Sequence, residues 1–525
     1  MTFVPNRLPI HNIPSFRLGL NNQQTPEEIS DIEMADVENF SVEDDSIVSA
    51  PGYAQYGDYA VGPYWGIFAF NKSDGSSTLI RQRGTTLEYD SDDAGTWVAC
   101  TVPISLTDEK RPTFASLDNV CFYSNGYDSV LSSTDGITWT ERASLPKSKY
   151  VVNNGANRLV FTGQPGSPYR MDWSNINDGL TVGASSYQLI DPNANGEIVG
   201  YGITPQGTNV CFKREGLYEI STFVDNGIID VNFIGHARVA GHHSISTTED
   251  SILFAGWDTI AYELIGGSIR NITGKISFIG RNNVLFTDKF VSAYYNGKYH
   301  LSMPDAYISQ DYNAQEYIIY KKLLRNDSTQ PYVITRNRRF FGCYGIQDAD
   351  FSYGRDVILY VGDSRPATYG SPVVTNTIFA FVNDYRDPSF AAGLDGSPQA
   401  AFVITKFFTN NIPYYVKRFK KFFASIKVEQ DLTIMVSYRF LPYGSWTDVT
   451  TSLSGGEMEF LLDDNSIGGF VEGYGFFEQR LGNIFIDIEN EEKPRGIQFK
   501  ISTNEINDVT IYSSAYQMRV KQKFK

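Results

Sequence analysis

Cysteine is scarce: Cys100, Cys121, Cys211 and Cys343 are the only four in 525 residues, and none forms a CxxC pair. That number cannot support a disulfide scaffold. The thiols are expected as small buried apolar groups, in a reduced, intracellular folding environment. Long apolar runs are missing as well. Nothing approaches about 18 consecutive apolar residues, which excludes a conventional helical membrane span. The opening stretch has no basic region leading into an apolar run of roughly 7–15 residues, so no secretory signal is expected.

Positive charge is in deficit, with 44 Lys and Arg against 60 Asp and Glu, net −16. An acidic chain repels phosphate backbones, which disfavours a conventional DNA-binding role. Neither GxGxxG, GxxxxGKS, GxxxxGKT nor GxSxG occurs, so no nucleotide cofactor and no hydrolase elbow is expected. Histidine is limited to His11, His236, His242, His243 and His300. The cluster of His236 with His242 and His243 lacks HExxH spacing, and neighbours on a strand point to opposite faces; a turn or strand-start role is expected instead of a metal site. Asp90, Asp92 and Asp93 resemble half a calcium loop without its terminal Glu, and read as solvated turn acids.

What is abundant is aromatic and turn-forming. Aromatics make up 14% of the chain, beside 45 Gly and 22 Pro, while Ala-Leu-Glu-Lys runs are nearly absent. Rings suit a pleated half-buried surface and Gly, Asn, Asp and Ser suit turns, so the fold class is all-β. With 42% hydrophobic residues the chain can bury a sizeable core. At roughly 100–200 residues per domain, the length suggests two to four domains, or one large repeat unit and a smaller one.

Residues 1–52 read as an extended N-terminal arm with one short helix. Thr25-Pro26-Glu27-Glu28 is a helix start, and Ile29 and Ile32 share one face of a helix running to about Asp36. From 53 to 370, aromatic or β-branched runs alternate with tight turns such as Asn296-Gly297 and Asp225-Asn226-Gly227. The hairpins group into about seven segments of roughly 40–50 residues, the size of propeller blades. They begin near Tyr53, Arg111, Lys147, Asn195, Ala240, Asp288 and Gly345. Beyond about 375 longer alternating strands predict a β-sandwich over 376–525.

Two stretches resemble an Asp-box turn: Ser133, Asp135, Gly136 and Trp139 in one, Ser91, Asp93, Gly95 and Trp97 in the other. The Asp would tie down turn amides, Gly take a positive φ and Trp pack under the hairpin, as a fold brace. A sialidase would further need an arginine cluster and a Tyr–Glu pair, and chance pairings are too plentiful here to discriminate. Charge is segregated. Residues 1–50 carry nine acids against two arginines, whereas 401–425 carry Lys406, Lys417, Arg418, Lys420 and Lys421 with no acid, and Arg519, Lys521, Lys523 and Lys525 end the chain. The basic-aromatic stretch 414–423 has three readings: a single-stranded nucleic-acid site, an edge strand guarded by lysines over an aromatic face, or a patch drawn to acidic surfaces of neighbouring subunits.

The entry segment Phe16-Arg17-Leu18-Gly19-Leu20-Asn21, followed by Pro26-Glu27, Asp36-Val37-Glu38-Asn39-Phe40 and Ser49-Ala50-Pro51-Gly52-Tyr53, resembles the opening of bacteriophage tail propeller proteins. Leu18 and Ala50 stand where Gly and Arg are commoner. Gly241-His242-His243-Ser244-Ile245, the stretch from Tyr294 to Pro304, Tyr360-Val361-Gly362-Asp363 and the stretch from Tyr415 to Lys421 are similar to the same group. The resemblance implies a non-enzymatic virion tail protein assembled in the host cytoplasm. Copies would form a nozzle or tubular ring, often a hexamer, below the portal, with DNA passing unbound through an acidic channel. Glu27, Glu28, Asp31 and Glu33 would then meet Lys417, Arg418, Lys420 and Lys421 between subunits. The alternative is a carbohydrate-binding or sialidase-like propeller acting in receptor recognition.

Overall fold

The computed structural model describes residues 10–13, 16, 18–43, 46–50, 53–60, 62–91, 95–221, 223–224, 229–258, 260–273, 288–305, 309–321, 332–347, 357–365, 376–381, 400–409, 415–428, 432–441, 443–453, 480–488, 494, 496–503 and 509–523. Over these residues the protein is all-β, with no α-helix. It divides into two units: 53–323 with 338–382, and 1–52 with 324–337 and 383–525.

The larger unit is a β-propeller built from seven antiparallel sheets among the described residues. The first sheet runs from Tyr64–Asn71 out to Trp97–Ala99, the second from Thr113–Leu117 to Thr140–Glu141, and the third from Tyr150–Asn153 to Asp178–Leu189. The fourth runs from Ile198–Ile203 to Asp230–Gly235 and the fifth from Ile245–Thr247 to Ser268–Asn271. Within this unit the sixth comprises Val291–Tyr295, Lys298–Asp305 and Ser309–Lys321. The seventh is Phe341–Gln347, Ile358–Asp363 and Asn376–Phe381, completed by Tyr53–Ala60 from the start of the unit. The first strand of each sheet packs against that of the next, and Phe341–Gln347 returns to Tyr64–Asn71, closing the circle.

The arrangement follows from burial. Strands such as Ile198–Ile203 and Asn209–Lys213 are buried nearly throughout, so both faces of a sheet need cover. Each sheet obtains it from its two neighbours. One apolar cluster joins Phe70, Ile80 and Leu87 of the first sheet to Tyr123 and Leu131 of the second. Another joins Trp173 of the third to Tyr201 and Tyr218 of the fourth. Sheets begin close to the expected starts except the first: Tyr53 opens the outer strand of the seventh sheet, and the first sheet starts at Tyr64. Asn376–Phe381 likewise belongs to the seventh sheet, so this unit extends past residue 370.

The smaller unit holds two antiparallel sheets. One has the order Phe40–Glu43, Ser46–Ser49, Val509–Lys523, Tyr415–Val428 and Arg480–Asp487, with Ile10–Ile13 also on Val509–Lys523. The other has the order Asp36–Glu38, Ala401–Ile404, Gln498–Thr503, Leu432–Arg439 and Thr447–Leu453. They touch through aromatics: the Phe422 and Phe499 rings lie 4.5 Å apart, and Phe499 and Tyr516 5.7 Å. The segment expected as a separate arm therefore supplies strands to both sheets.

The helix expected from 25 to 36 is absent, replaced by turns in which Glu28 N–H donates to the Thr25 carbonyl at 2.9 Å and Glu33 N–H to that of Ser30 at 3.1 Å. Tertiary contacts override the local signal, because the Pro26 carbonyl accepts from Phe407 N–H at 2.8 Å and Ile29 and Met34 are fully buried.

Candidate functional site

A cavity of about 210 Å3 lies among the first strands of the first, second, fifth, sixth and seventh sheets, lined by Trp65, Phe114, His242, His243, Cys343 and Tyr344 among others. His242 opens a single 3-10 turn, His242–Ser244, ahead of the fifth sheet. Its Nδ1 accepts from Tyr201 N–H at 3.3 Å, and its ring lies 4.9 Å from Tyr150. Close surrounding by protein lowers His242 to about 4. Burial, then His242 and Arg111, push His243 well below its ordinary range. Both imidazoles are therefore neutral at neutral pH. Arg111 remains a cation, lowered by burial to about 10, and its Nη1 donates to the Asp288 carbonyl at 3.1 Å.

No activated nucleophile accompanies them on the wall. Burial pushes the Cys343 thiol up to about 12, so it stays protonated. Ser292 Oγ donates to the His243 carbonyl at 3.2 Å and so accepts from Ser246 Oγ at 2.9 Å. The cavity offers aromatic surface and hydrogen-bonding imidazoles, with the Arg111 cation nearby. Among the described residues no three His, Cys, Asp or Glu side chains gather as a metal site.

The buried ionisable groups of this unit act as braces. Glu316 is fully buried and engages three groups: the Tyr53 hydroxyl at 3.2 Å, the Tyr344 hydroxyl at 3.1 Å and His300 Nδ1 at 2.9 Å. It thus ties the sixth sheet to both ends of the seventh. Glu88 holds Arg81, which is almost fully buried, at 2.7 Å and also pairs with Arg83. The Arg81 guanidinium lies over the Trp97 ring at 3.8 Å. Burial raises the Glu88 carboxyl, but Arg83 and Arg81 outweigh this and hold it below its usual range. Lys213 is buried with its Nζ on the carbonyls of Ile190, Asp191 and Ala194. Sequence reasoning missed these networks, since nothing local distinguishes Glu316 or Arg81 from other charged residues.

The first Asp-box-like turn forms as its residues suggest. Asp135 Oδ1 accepts from Ile137 N–H, Thr138 N–H and Ser133 Oγ, each at 2.8 Å. Gly136 has φ +80°, and Trp139 is buried with its indole donating to the Gly136 carbonyl at 3.2 Å. In the second turn Asp93 lies outside the described residues, and Asp90 takes the role expected of it, accepting from Gly95 N–H at 3.2 Å. Ser91 donates to the Thr96 carbonyl at 3.0 Å, and Trp97 stacks on Arg81 instead of under the hairpin. The turn Asp225-Asn226-Gly227 also lies outside the described residues.

Two acids of the 27–33 segment are engaged within the chain. Glu33 is buried, accepting from Asn21 Nδ2 at 2.9 Å and Ser30 N–H at 2.8 Å, so it is not available to another subunit. Asp31 pairs with Lys406 of its own chain at 2.9 Å. Glu27 is half-buried and Glu28 exposed. Lys417, Arg418, Lys420 and Lys421 all lie on Tyr415–Val428, and Lys421 is exposed. Among the described residues, 421–428 pair on both sides, and 415–420 pair with Val509–Lys523. A bulge between Phe419 and Lys421 resets the alternation so that Phe419 and Phe422, three apart, are both buried.

No protein-family model and no curated protein matches this chain. Among solved structures it is similar to YCF48 bound to a D1 peptide, at 13% identity over 66% of this chain and 100% of that one, with TM-score 0.39. It is also similar to the Pan2 WD40 domain of Neurospora crassa (11%, 64% and 96%, TM-score 0.38) and to BamB from Moraxella catarrhalis (10%, 65% and 96%, TM-score 0.35).

Proposed function

We propose that this protein is a structural component of a bacteriophage tail, several copies forming a nozzle or tubular ring around the DNA exit channel and docking on portal and other tail proteins. The observation that carries this reading is a basic cluster in the smaller unit. Two basic segments far apart in sequence lie in register on adjacent strands, with Arg418 opposite Arg519, Lys417 opposite Val520 and Tyr415 opposite Lys523. Neither 415–423 nor 513–523 contains an acid, although Asp487 stands opposite Lys421. Like charges set opposite each other are destabilising, and such a cluster in a chain of net −16 favours an acidic partner, which a second copy supplies. Glu28, exposed, and Glu27 are the acids of the 27–33 segment that remain for this contact.

The propeller cavity also bears on the channel. At about 210 Å3 it has no room for a duplex whose major groove alone is about 12 Å wide, so a DNA channel has to be bounded by several chains. Mass photometry tests the proposal: the purified protein is expected as a ring-sized oligomer, and the fourfold variant K417E/R418E/K420E/K421E as a smaller species. A monomer in both cases sinks the assembly reading. One observation favours the alternative of a sialidase-like propeller, namely the Tyr344–Glu316 contact at 3.1 Å beside the cavity. Turnover of a fluorogenic glycoside, abolished by Tyr344→Phe, would replace the assembly reading with that one.

A further inference from the structure

A second hollow, of about 450 Å3, lies on the propeller where the second, third and fourth sheets meet. Its walls come from the loop after Val120–Ser124, the connection into the third sheet, the loop between the second and third strands of that sheet, and Glu197 ahead of the fourth. Gly126, Tyr127, Lys147, Lys149, Gly163 and Glu197 are the lining residues that matter here.

Lys149 is seated by design of the backbone. A Cβ on Gly126 would lie 2.6 Å from Lys149 Cγ, and one on Gly163 would lie 3.2 Å from Lys149 Cβ. Two glycines thus leave a slot for the lysine stem. Lys149 N–H donates to the Gly163 carbonyl at 3.2 Å, and its own carbonyl accepts from Thr113 Oγ1 at 3.2 Å. Lys147 stands exposed two residues earlier.

The aromatic opposite them is equally fixed. Asn125 Oδ1 accepts from Tyr127 N–H at 2.9 Å and Asp128 N–H at 2.8 Å, and Asp128 accepts from Thr107 N–H at 2.8 Å and Thr107 Oγ1 at 2.7 Å. This loop holds up Tyr127 with 49% of its surface exposed, and Lys110 Nζ sits 4.3 Å from the ring centroid. The carboxylate on the wall, Glu197, is paired with Arg214 at 2.8 Å, and Asp128 is engaged inside its own loop. The hollow is therefore locally cationic in a strongly acidic protein.

We propose that this hollow binds an anionic saccharide, with a sugar ring against Tyr127 and its carboxylate or sulfate groups on Lys147 and Lys149. The volume is that of a small-ligand pocket, with few polar groups on a preformed wall. A single-stranded nucleic acid would need a track of successive aromatic platforms, and the hollow offers one. The site lies in the propeller unit and shares no residue with the assembly test, so either proposal can fail alone.

Calorimetric titration of the full chain with trigalacturonate and with a heparin-derived tetrasaccharide tests it, with maltotetraose and a short oligothymidylate as comparators. Binding of either acidic saccharide is expected, weakened at least tenfold in both Lys149→Met and Tyr127→Ala and reduced by added salt. Lys149→Met keeps the stem in its glycine slot, so its thermal melting point is expected to stay near that of the parent. No binding of either acidic saccharide, binding indifferent to both substitutions, or tighter binding of maltotetraose or oligothymidylate would overturn the proposal.

Discussion

Asp135 shows how a turn motif becomes a measurable stability term. Burial raises its carboxyl, but the amides of Thr138 and Ile137 and the Ser133 hydroxyl outweigh that and hold it below the usual range. The folded value lies below the unfolded one. The contribution is therefore complete above the ordinary carboxyl value of about 4 and is lost as pH falls through the folded value. Asp135→Ala is expected to cost about 1–3 kcal/mol at neutral pH, the scale of losing a few hydrogen bonds to a charged group. Denaturant titration at neutral pH checks the cost, and its shrinkage toward pH 3 checks the sign. The cavity histidines act in a separate window. His242 and His243 are both depressed, so the unfolded chain gains protons first, and stability drains away as pH falls from about 6.5 toward 4. Removing one titrating imidazole with His243→Gln should flatten the melting temperature over that window. An unchanged slope would show that the imidazole does not titrate there.

Two glycines meet closely beside the closing strand of the propeller. Gly57 on the closing strand and Gly95 in the turn before Trp97–Ala99 both have positive φ, +78° and +90°. A Cβ on Gly95 would fall 2.3 Å from Gly57 Cα, which leaves no room for any side chain. Gly95→Ala is expected to destabilise by about 2–4 kcal/mol, combining a strained φ with an overlap. Gly207→Ala is the matched control, with φ +83° and nothing within 4 Å, and should cost only about 1 kcal/mol. Equal losses in chemical denaturation would mean that the closing strand relaxes away from the turn. The strand Tyr415–Val428 carries a comparable lesson. An edge strand is one of three readings of its basic-aromatic spelling, and among the described residues 421–428 are paired on both sides.

For the whole molecule, the net −16 resolves into unlike parts. Asp31 is spent on Lys406, Glu33 is buried, and the two basic stretches join in one sheet. The proposed assembly is consequently expected to weaken with added salt, as pairs between exposed charges are screened beyond a Debye length of about 10 Å. An oligomer mass unmoved between low and high salt would assign the contact to apolar surface. Charge reversal at Glu27 and Glu28 should mimic salt, whereas Asp31→Lys should chiefly disturb its own chain.

The sequence by itself determined what depends on near neighbours. Aromatic and turn residues set an all-β chain, most sheet starts fell within a few residues of their predicted places, and the turn around Asp135 formed from the residues that spell it. Each of these is written in short-range sterics and hydrogen bonds, which a local stretch carries with it. Tertiary structure alone decided the rest: that Tyr53–Ala60 closes the seventh sheet, that Thr25 to Asp36 forgoes a helix, that Asp90 serves the second turn, and that Glu316 joins His300, Tyr53 and Tyr344. Those outcomes turn on burial and on partners tens to hundreds of residues away, and a buried carboxylate adopts whichever donors the fold brings to it.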